Sequence, residues 1–245
     1  MASLLRAVKV TKKFAGLTAV DSVDMEIREG EIVGLIGPNG AGKTTFFNCI
    51  TGFYTATYGS VEFDGHDITK RTTFQNCKAG MARTFQIVQP FGQLTSLENV
   101  MVGAFNGEKF YAQAEKAARE MIAFVGMEDK INSIVADLTI GDQRKLEMAR
   151  ALATKPKLLL LDEVMAGLTP TEIEDCVELV RKIKNSGVTI LMIEHIMAAL
   201  MRLSDRVVVL DHGKLIAEGT PQEITQNERV IESYLGSAYK KDKMP

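Results

Sequence analysis

The stretch GPNGAGKTT, at residues 37–45, follows the apolar run EIVGLI directly. Residues 37–44 match the pattern GxxxxGK[ST], and the flanking residues predict a buried strand before the loop and a helix after it that ends at Gly52. In this setting glycines let backbone amides converge on phosphate groups at the positive end of the helix. A plain glycine-rich turn is the alternative. The full pattern in its expected setting favours a loop that binds a nucleotide's phosphates.

Within this loop, we expect the Lys43 ammonium group to contact the β and γ phosphates and the Thr44 hydroxyl to bind Mg²⁺. The sequence therefore predicts a nucleotide and Mg²⁺ as ligands, and the resemblance described below implies that the nucleotide is ATP. The residues assigned to ATP binding in the loop are Gly37, Pro38, Asn39, Gly40, Ala41, Gly42, Lys43, Thr44 and Thr45.

A second apolar run, KLLLLDE, ends in two carboxylates, Asp162 and Glu163. Ligands of α/β proteins bind at the carboxyl ends of the strands, where such a pair would lie. We expect Asp162 to hold Mg²⁺, directly or through water, and Glu163 to act as general base towards the attacking water. An acidic pair that caps the next helix is the alternative.

Two further polar residues are candidates for the same chemistry. His195 follows the apolar run VTILMIE, and a neutral imidazole there could bridge the γ-phosphate and the attacking water. Gln86, in ARTFQ, has a side-chain amide that could reach both metal and water. Each would be ordinary on its own, since a lone histidine is more often structural and a lone glutamine is usually a surface residue.

Periodicity along the chain predicts an α/β fold. Short, partly exposed strands are expected in residues 3–35, followed by a hairpin that turns at Asp64-Gly65. Helical patterns dominate from about Thr95 to Met127, and strands then alternate with helices, as in a parallel sheet covered on both faces. No segment reaches the roughly 18 apolar residues of a membrane-spanning helix.

Composition disfavours several other classes of protein. The net charge is −2, so no overall basic field indicates a nucleic-acid partner. Cys49, Cys77 and Cys176 are far apart and form no CxxC pair, and we interpret them as reduced, semi-buried thiols. The N-terminal residues do not resemble a secretion signal, which is consistent with a cytoplasmic protein.

Taken in order, these elements resemble the ATP-binding cassette (ABC) ATPases from Leu4 to Gly236. The resemblance implies a P-loop NTPase (RecA-like) core with a mostly parallel sheet, an antiparallel β subdomain and a helical subdomain. It also implies roles for an adenine-stacking aromatic and for a signature segment that contacts the ATP of the opposite subunit. The matching positions are Phe14 for the aromatic, Gln86 for the glutamine loop, His195 for the switch histidine, and Leu138, Thr139, Ile140, Gly141 and Asp142 for the signature.

The same resemblance implies boundaries within the chain. A single ABC ATPase domain is expected over residues 1–236. Its parts are a β subdomain with the phosphate-loop half of the core (1–87), a helical subdomain that includes the signature (88–150) and the rest of the core (151–236). Residues 237–245 are expected to form a mobile tail.

Within the family, segments such as FNCITGFY, AGLTPTE and MIEH look most like the ATP-binding subunits of branched-chain amino acid importers. Several positions depart from the family's usual residues. The signature reads LTIGD where most members have LSGGQ, so Asp142 adds negative charge near an anion. Val164 replaces the usual proline after the base, and Thr169 replaces an aspartate in the loop that crosses between subunits.

The resemblance also implies the assembly. One phosphate loop and one signature per chain imply a two-fold pair, either a homodimer or a heterodimer with a paralogue, that encloses two ATP molecules. Transmembrane permease subunits and, indirectly, a solute-binding protein would complete the importer, and this chain would lie peripherally on the cytoplasmic face of the membrane. The alternatives are an exporter or lipid-extraction ATPase, a soluble ABC ATPase outside transport, and a small-molecule kinase.

Overall fold

The computed structural model describes residues 3–86 and 89–235. These residues form two compact units, one from the parts up to Thr73 and from Leu191 onwards, and the other from the part between Phe74 and Ile190. The expected tail at 237–245 and the expected boundary between residues 87 and 88 lie outside the described residues. The division into three subdomains therefore stays a prediction.

The first unit contains a four-stranded antiparallel sheet in the order β2-β1-β4-β5. Its long strands, β1 (Ser3–Phe14) and β2 (Leu17–Arg28), have 12 residues each, so the prediction of short strands was wrong in length. The register shifts where Lys9 and Ser22 adopt positive φ, and such bulges interrupt the alternation of apolar and polar residues. Side chains satisfy the displaced amides, because Asp24 accepts from the Lys9 N–H and Thr11 from the Ser22 N–H.

The other two strands of this sheet, β4 (Tyr58–Phe63) and β5 (His66–Asp67), form the predicted hairpin. Asp64 and Gly65 join them with φ of 51° and 72°. Positive φ at both central residues is the conformation that favours an Asp-Gly pair, so this prediction is confirmed.

A second set of strands in the first unit carries the phosphate-loop segment. Strand β3 (Ile32–Ile36) is buried along its whole length and pairs in parallel with β9 (Arg206–Asp211), which pairs antiparallel with β10 (Lys214–Gly219). Helix α1 (Lys43–Thr51) ends at Gly52, whose φ of 80° closes the helix as predicted. The remaining helices of this unit are α7 (Met197–Leu203), α8 (Pro221–Thr225) and α9 (Glu228–Leu235).

In the second unit, β6 (Met81–Arg83) pairs in parallel with the buried strand β7 (Leu158–Asp162). Its helices include α3 (Ser96–Ala104), α4 (Tyr111–Phe124), α5 (Ile140–Leu152) and α6 (Pro170–Asn185). Helices α3 and α5 pack so closely that a Cβ on Gly103 would lie 2.1 Å from the Arg150 carbonyl oxygen. Two elements cross the limits of the units, namely α2 (Thr73–Lys78) and the buried strand β8 (Thr189–Ile193).

These elements confirm the predicted fold class, with parallel strand pairs, an antiparallel sheet and a set of helices around residues 95–127. The cysteines are free, as expected, but Cys49 and Cys176 are buried and only Cys77 is half-buried. Burial raises the pKa of the Cys49 thiol to about 11, so this thiol stays protonated near neutral pH.

Candidate functional site: the nucleotide-binding elements

The loop between β3 and α1 depends on glycine for its shape. Gly37, Gly40 and Gly42 have φ of 150°, 79° and 98°, where a side chain is disfavoured. A Cβ on Gly37 would lie 2.0 Å from the Leu210 carbonyl oxygen, and one on Gly42 would lie 2.4 Å from the Ala19 carbonyl oxygen. The backbone of the loop is therefore held against β9 and β2 of the same unit.

Lys43 begins α1 and is buried, with 7% of its surface exposed. Its Nζ donates to the carbonyl oxygens of Gly37 at 2.7 Å and Pro38 at 3.0 Å, so the side chain folds back over the loop. The first amides of a helix have no carbonyl partner within it, and Thr44, in this first turn, is exposed. A cation and helix amides at one loop are the groups that bind phosphate.

Replacing Gly37 with alanine should destabilise the protein by about 2–4 kcal/mol, because strain at positive φ adds to a collision with a backbone oxygen. Gly40→Ala is the matched control. Its φ is also positive, but nothing lies within 4 Å of the added Cβ, so we expect a loss of about 1 kcal/mol. Urea unfolding of both variants measures the difference, and equal losses would contradict the role given to the Leu210 carbonyl.

Phe14 ends β1, and its side chain is partly exposed. Its ring meets that of Tyr54 edge to face at a centroid distance of 5.3 Å, and Lys12 Nζ lies 5.1 Å from the Phe14 centroid. The neighbouring ring and the ammonium group hold Phe14 in place. An exposed and supported ring suits stacking on a base, and the role of Phe14 stays a prediction.

In the second unit, Asp162 ends β7 and is buried. Its Oδ2 accepts from Arg83 Nη2 at 2.7 Å, whereas Oδ1 is buried without a hydrogen-bond partner among the described residues. Burial raises the pKa of Asp162 although Arg83 acts in the opposite direction. A buried and unsatisfied carboxylate oxygen is costly unless something pairs with it, so Asp162 fits the predicted role of binding Mg²⁺.

Glu163 follows at once and has φ of 52°. A bulky residue rarely adopts this conformation, and backbone strain of this kind is often found at functional sites. Its Oε2 accepts from Gln86 Nε2 at 2.8 Å. The structure thus brings together two of the three predicted catalytic residues, Glu163 and Gln86, beside the predicted metal ligand Asp162.

The signature segment forms the start of α5. Thr139 is the residue before the first turn, and its Oγ1 accepts from the Asp142 N–H at 3.2 Å. Gly141 lies close to α6, because a Cβ there would be 2.4 Å from Glu172 Oε1. The negative charge that Asp142 adds is paired, since Lys130 Nζ donates to both carboxylate oxygens at 2.8 Å. Leu138 and Ile140 flank Thr139, and Ile140 is exposed.

The departures Val164 and Thr169 both have a local structural role. Val164 is buried. Thr169 caps α6: its Oγ1 accepts from the Glu172 N–H, and Glu172 Oε2 accepts from the Thr169 N–H. Threonine is therefore present where a helix N-cap is needed, a position that aspartate also suits.

His195 lies two residues after β8 and is exposed, in the same unit as the phosphate loop and Phe14. The predicted residues are thus distributed over the units as two groups. The first unit contains the phosphate loop, Phe14 and His195, and the second contains Gln86, Asp162, Glu163 and the signature.

Sequence reasoning missed several supporting residues. Arg83 and Lys130 pair with predicted site residues, and Tyr54 contacts Phe14. Burial raises the pKa of the Tyr234 phenol in α9, and the backbone of Gly37 acts in the opposite direction. Position in a motif could not reveal these residues, since each is recognised only by what it touches.

A phosphate loop after one buried strand and a carboxylate pair after another define a P-loop nucleoside triphosphatase. Residues 20–166 match the family model described as ABC transporter, and residues 214–240 match that of the branched-chain amino acid ATP-binding cassette transporter. The chain belongs to the ABC transporter family, as one of its ATPase subunits. Among the described residues, no helix combines the length and apolar character needed to cross a membrane.

Known proteins support this assignment along almost the whole chain. A high-affinity branched-chain amino acid transport ATP-binding protein of Salmonella typhimurium is 41% identical, over 96% of this chain and 98% of that protein. The ADP conformation of an ATP-binding cassette of an ABC transporter, 30% identical, superimposes with a TM-score of 0.88 over 97% of this chain and 100% of that one. A dimeric cassette in a post-hydrolysis state, bound to ADP and phosphate, is 26% identical with a TM-score of 0.80, over 89% of this chain and 99% of that one.

Proposed function

We propose that this chain drives an importer of branched-chain or related amino acids by hydrolysing ATP on the cytoplasmic face of a membrane. The observation that carries the proposal is the match of residues 214–240 to the branched-chain transporter model, a segment beyond the general ABC match. The relative from Salmonella typhimurium, whose name specifies branched-chain amino acid transport, supports it over nearly the full length.

In this proposal the phosphate loop binds the triphosphate group of ATP. The amides at the start of α1 and the Lys43 ammonium group bind the phosphate oxygens, and Phe14 stacks on the adenine. Lys43 already donates two hydrogen bonds to loop carbonyls, so its ammonium group is in position before ATP binds. Phosphate oxygens would then replace these carbonyl oxygens as its acceptors.

Thr44, Gln86 and Asp162 are the residues that would hold Mg²⁺, and the ion would supply positive charge to the β and γ phosphates. Glu163 accepts a proton from the attacking water as general base. Gln86 orients the Glu163 carboxylate through the hydrogen bond between them. His195 bridges the γ-phosphate and the attacking water. Arg83 keeps the second oxygen of Asp162 occupied, which orients the carboxylate.

The working assembly in this proposal is a pair of ATPase subunits, identical or paralogous, bound to transmembrane permease subunits. Thr139 and Gly141 of each signature contact the γ-phosphate held by the other subunit. ATP then favours the closed pair because these contacts exist only when the subunits meet. The dimeric state of a related cassette supports this arrangement.

The test is purification of the tagged chain from gently solubilised membranes, followed by reconstitution. We expect transmembrane subunits and a second ATPase to co-purify, and ATP to drive uptake of leucine, isoleucine or valine into proteoliposomes that also receive the solute-binding protein. Glu163→Gln assembled in the same way should give no uptake. Export instead of uptake, or a chain that retains no membrane subunit, would contradict the proposal.

A further inference from the structure

The signature of this chain contains a carboxylate, Asp142, where a phosphate is expected to bind. Asp142 lies in the first turn of α5, three residues after Thr139, and 13% of its side chain is exposed. In the proposed function, which this inference rests on, Thr139 donates to a γ-phosphate oxygen. Because Asp142 Oδ2 lies 2.8 Å from Thr139 Oγ1, a phosphate oxygen that accepted from this hydroxyl would lie within about 5.5 Å of the carboxylate.

The Thr139 hydroxyl both donates a hydrogen bond to Asp142 and accepts one from it. Its Oγ1 accepts from the Asp142 N–H at 3.2 Å and lies 2.8 Å from Asp142 Oδ2, so the hydroxyl hydrogen is donated to the carboxylate. A hydroxyl has one hydrogen to donate. The γ-phosphate can receive that hydrogen only if Asp142 gives it up, which would leave the carboxylate oxygen in need of another donor.

Lys130 supplies that donor. Its Nζ lies 2.8 Å from both Oδ1 and Oδ2, and the hydrogen bond to Asp142 raises the pKa of the Lys130 ammonium group. Lys130 ends a short 3₁₀ helix (Glu128–Lys130), whose turn is closed by the Lys130 N–H bonded to the Met127 carbonyl. The ammonium group is therefore placed by backbone structure outside the signature.

Other charges around Asp142 do not replace Lys130. Lys145 lies one turn further along α5, and its charge acts to lower the pKa of Asp142. Its Nζ lies 3.9 Å from Asp175 Oδ2. Glu172 on α6 is negative and also interacts with Asp142. Burial acts to raise the pKa of Asp142, but the hydrogen bonds from Lys130 and Thr139 outweigh it and lower that pKa, so the carboxylate is ionised.

We propose that Lys130 is a positioning residue for the signature: it binds both oxygens of Asp142, cancels that charge towards the partner's γ-phosphate and releases Thr139 to donate to it. Lys130 touches no substrate. Its effect on ATP use passes entirely through Asp142, which makes the two residues separable by mutation.

The experiment compares Lys130→Met, Asp142→Asn and the double variant, each in full-length protein that carries Glu163→Gln so that ATP persists. Analytical ultracentrifugation measures the MgATP concentration at which half of the chains are paired. Lys130→Met should raise that concentration about tenfold, because one unpaired negative charge then faces the phosphate. Asp142→Asn should not raise that concentration, because the Lys130 ammonium group then faces the phosphate without a counter-charge. The double variant carries neither charge and should return to within about twofold of the parent.

Lys155→Met is the matched control, because Lys155 Nζ pairs with Glu108 Oε1 at 2.7 Å in the same unit and the net charge changes equally. It should not alter the MgATP requirement. If the ion pair between Lys130 and Asp142 only stabilised the fold, both single variants should need more MgATP to pair, and the double variant should need as much as they do. This result would overturn the inference. A parent that does not pair in response to MgATP would instead contradict the proposed function, and the inference would fall with it.

Discussion

Replacing Glu163 with glutamine is expected to slow steady-state ATP hydrolysis by about 10²–10⁴-fold, equivalent to about 3–5 kcal/mol of barrier. Glutamine has the same length but cannot accept a proton from water. Its amide oxygen can still accept from Gln86, so the hydrogen bond seen at 2.8 Å and the local backbone are preserved. The loss should therefore be chemical and not structural.

Phosphate-release assays measure the rate, and calorimetric titration with MgATP should show that binding persists, because Lys43 and the phosphate loop are unchanged. Glu178→Gln is a suitable control, since Glu178 lies on α6 of the same unit and pairs only with Arg181 at the surface among its described ion pairs. It should hydrolyse at the parental rate. Parental hydrolysis by Glu163→Gln would remove Glu163 from the role of general base.

Replacing Lys43 with alanine is expected to weaken MgATP binding about 10–100-fold, the effect of losing one charge-assisted contact to phosphate. Nearly all of the Lys43 side chain is buried, and its ammonium group lies over the loop through bonds to Gly37 and Pro38. Alanine deletes the cation and leaves those two carbonyl oxygens without this donor. The variant should therefore lose mainly its affinity for MgATP, with a smaller decrease in the free energy of unfolding.

Calorimetry gives the affinity, and urea unfolding in the absence of nucleotide separates it from stability. Lys70→Ala removes an exposed lysine of the same unit and should leave both quantities unchanged. Unchanged affinity in a folded Lys43→Ala protein would exclude Lys43 from the phosphate site.

Much of the architecture could be predicted, because its signals are local. Asp64-Gly65 predicts a hairpin turn and Gly52 a helix end, since each needs positive φ. Buried strands such as β3 and β7 appear as uninterrupted apolar runs. The length of β1 and β2 could not be predicted, because bulges at Lys9 and Ser22 break the two-residue alternation that identifies a strand.

The candidate site was predictable where chemistry is concentrated in a short motif, as in the phosphate loop and the pair Asp162-Glu163. The residues that hydrogen-bond to this carboxylate pair could not be predicted as its partners. Arg83 is 79 residues from Asp162, and Gln86 is 77 residues from Glu163, yet each pair is joined at 2.7–2.8 Å. No spacing rule connects such partners, because the sheet brings them together.

The sequence by itself determined that this chain contains a phosphate loop after a buried strand, with carboxylates at the end of another, because backbone conformation and apolar periodicity act over a few neighbouring residues. Only the tertiary structure decided what surrounds those groups. The Leu210 carbonyl excludes a side chain at Gly37, Arg83 occupies one oxygen of Asp162, and Lys130 neutralises Asp142. Steric exclusion and charge pairing depend on distance in space, which the order of residues does not specify.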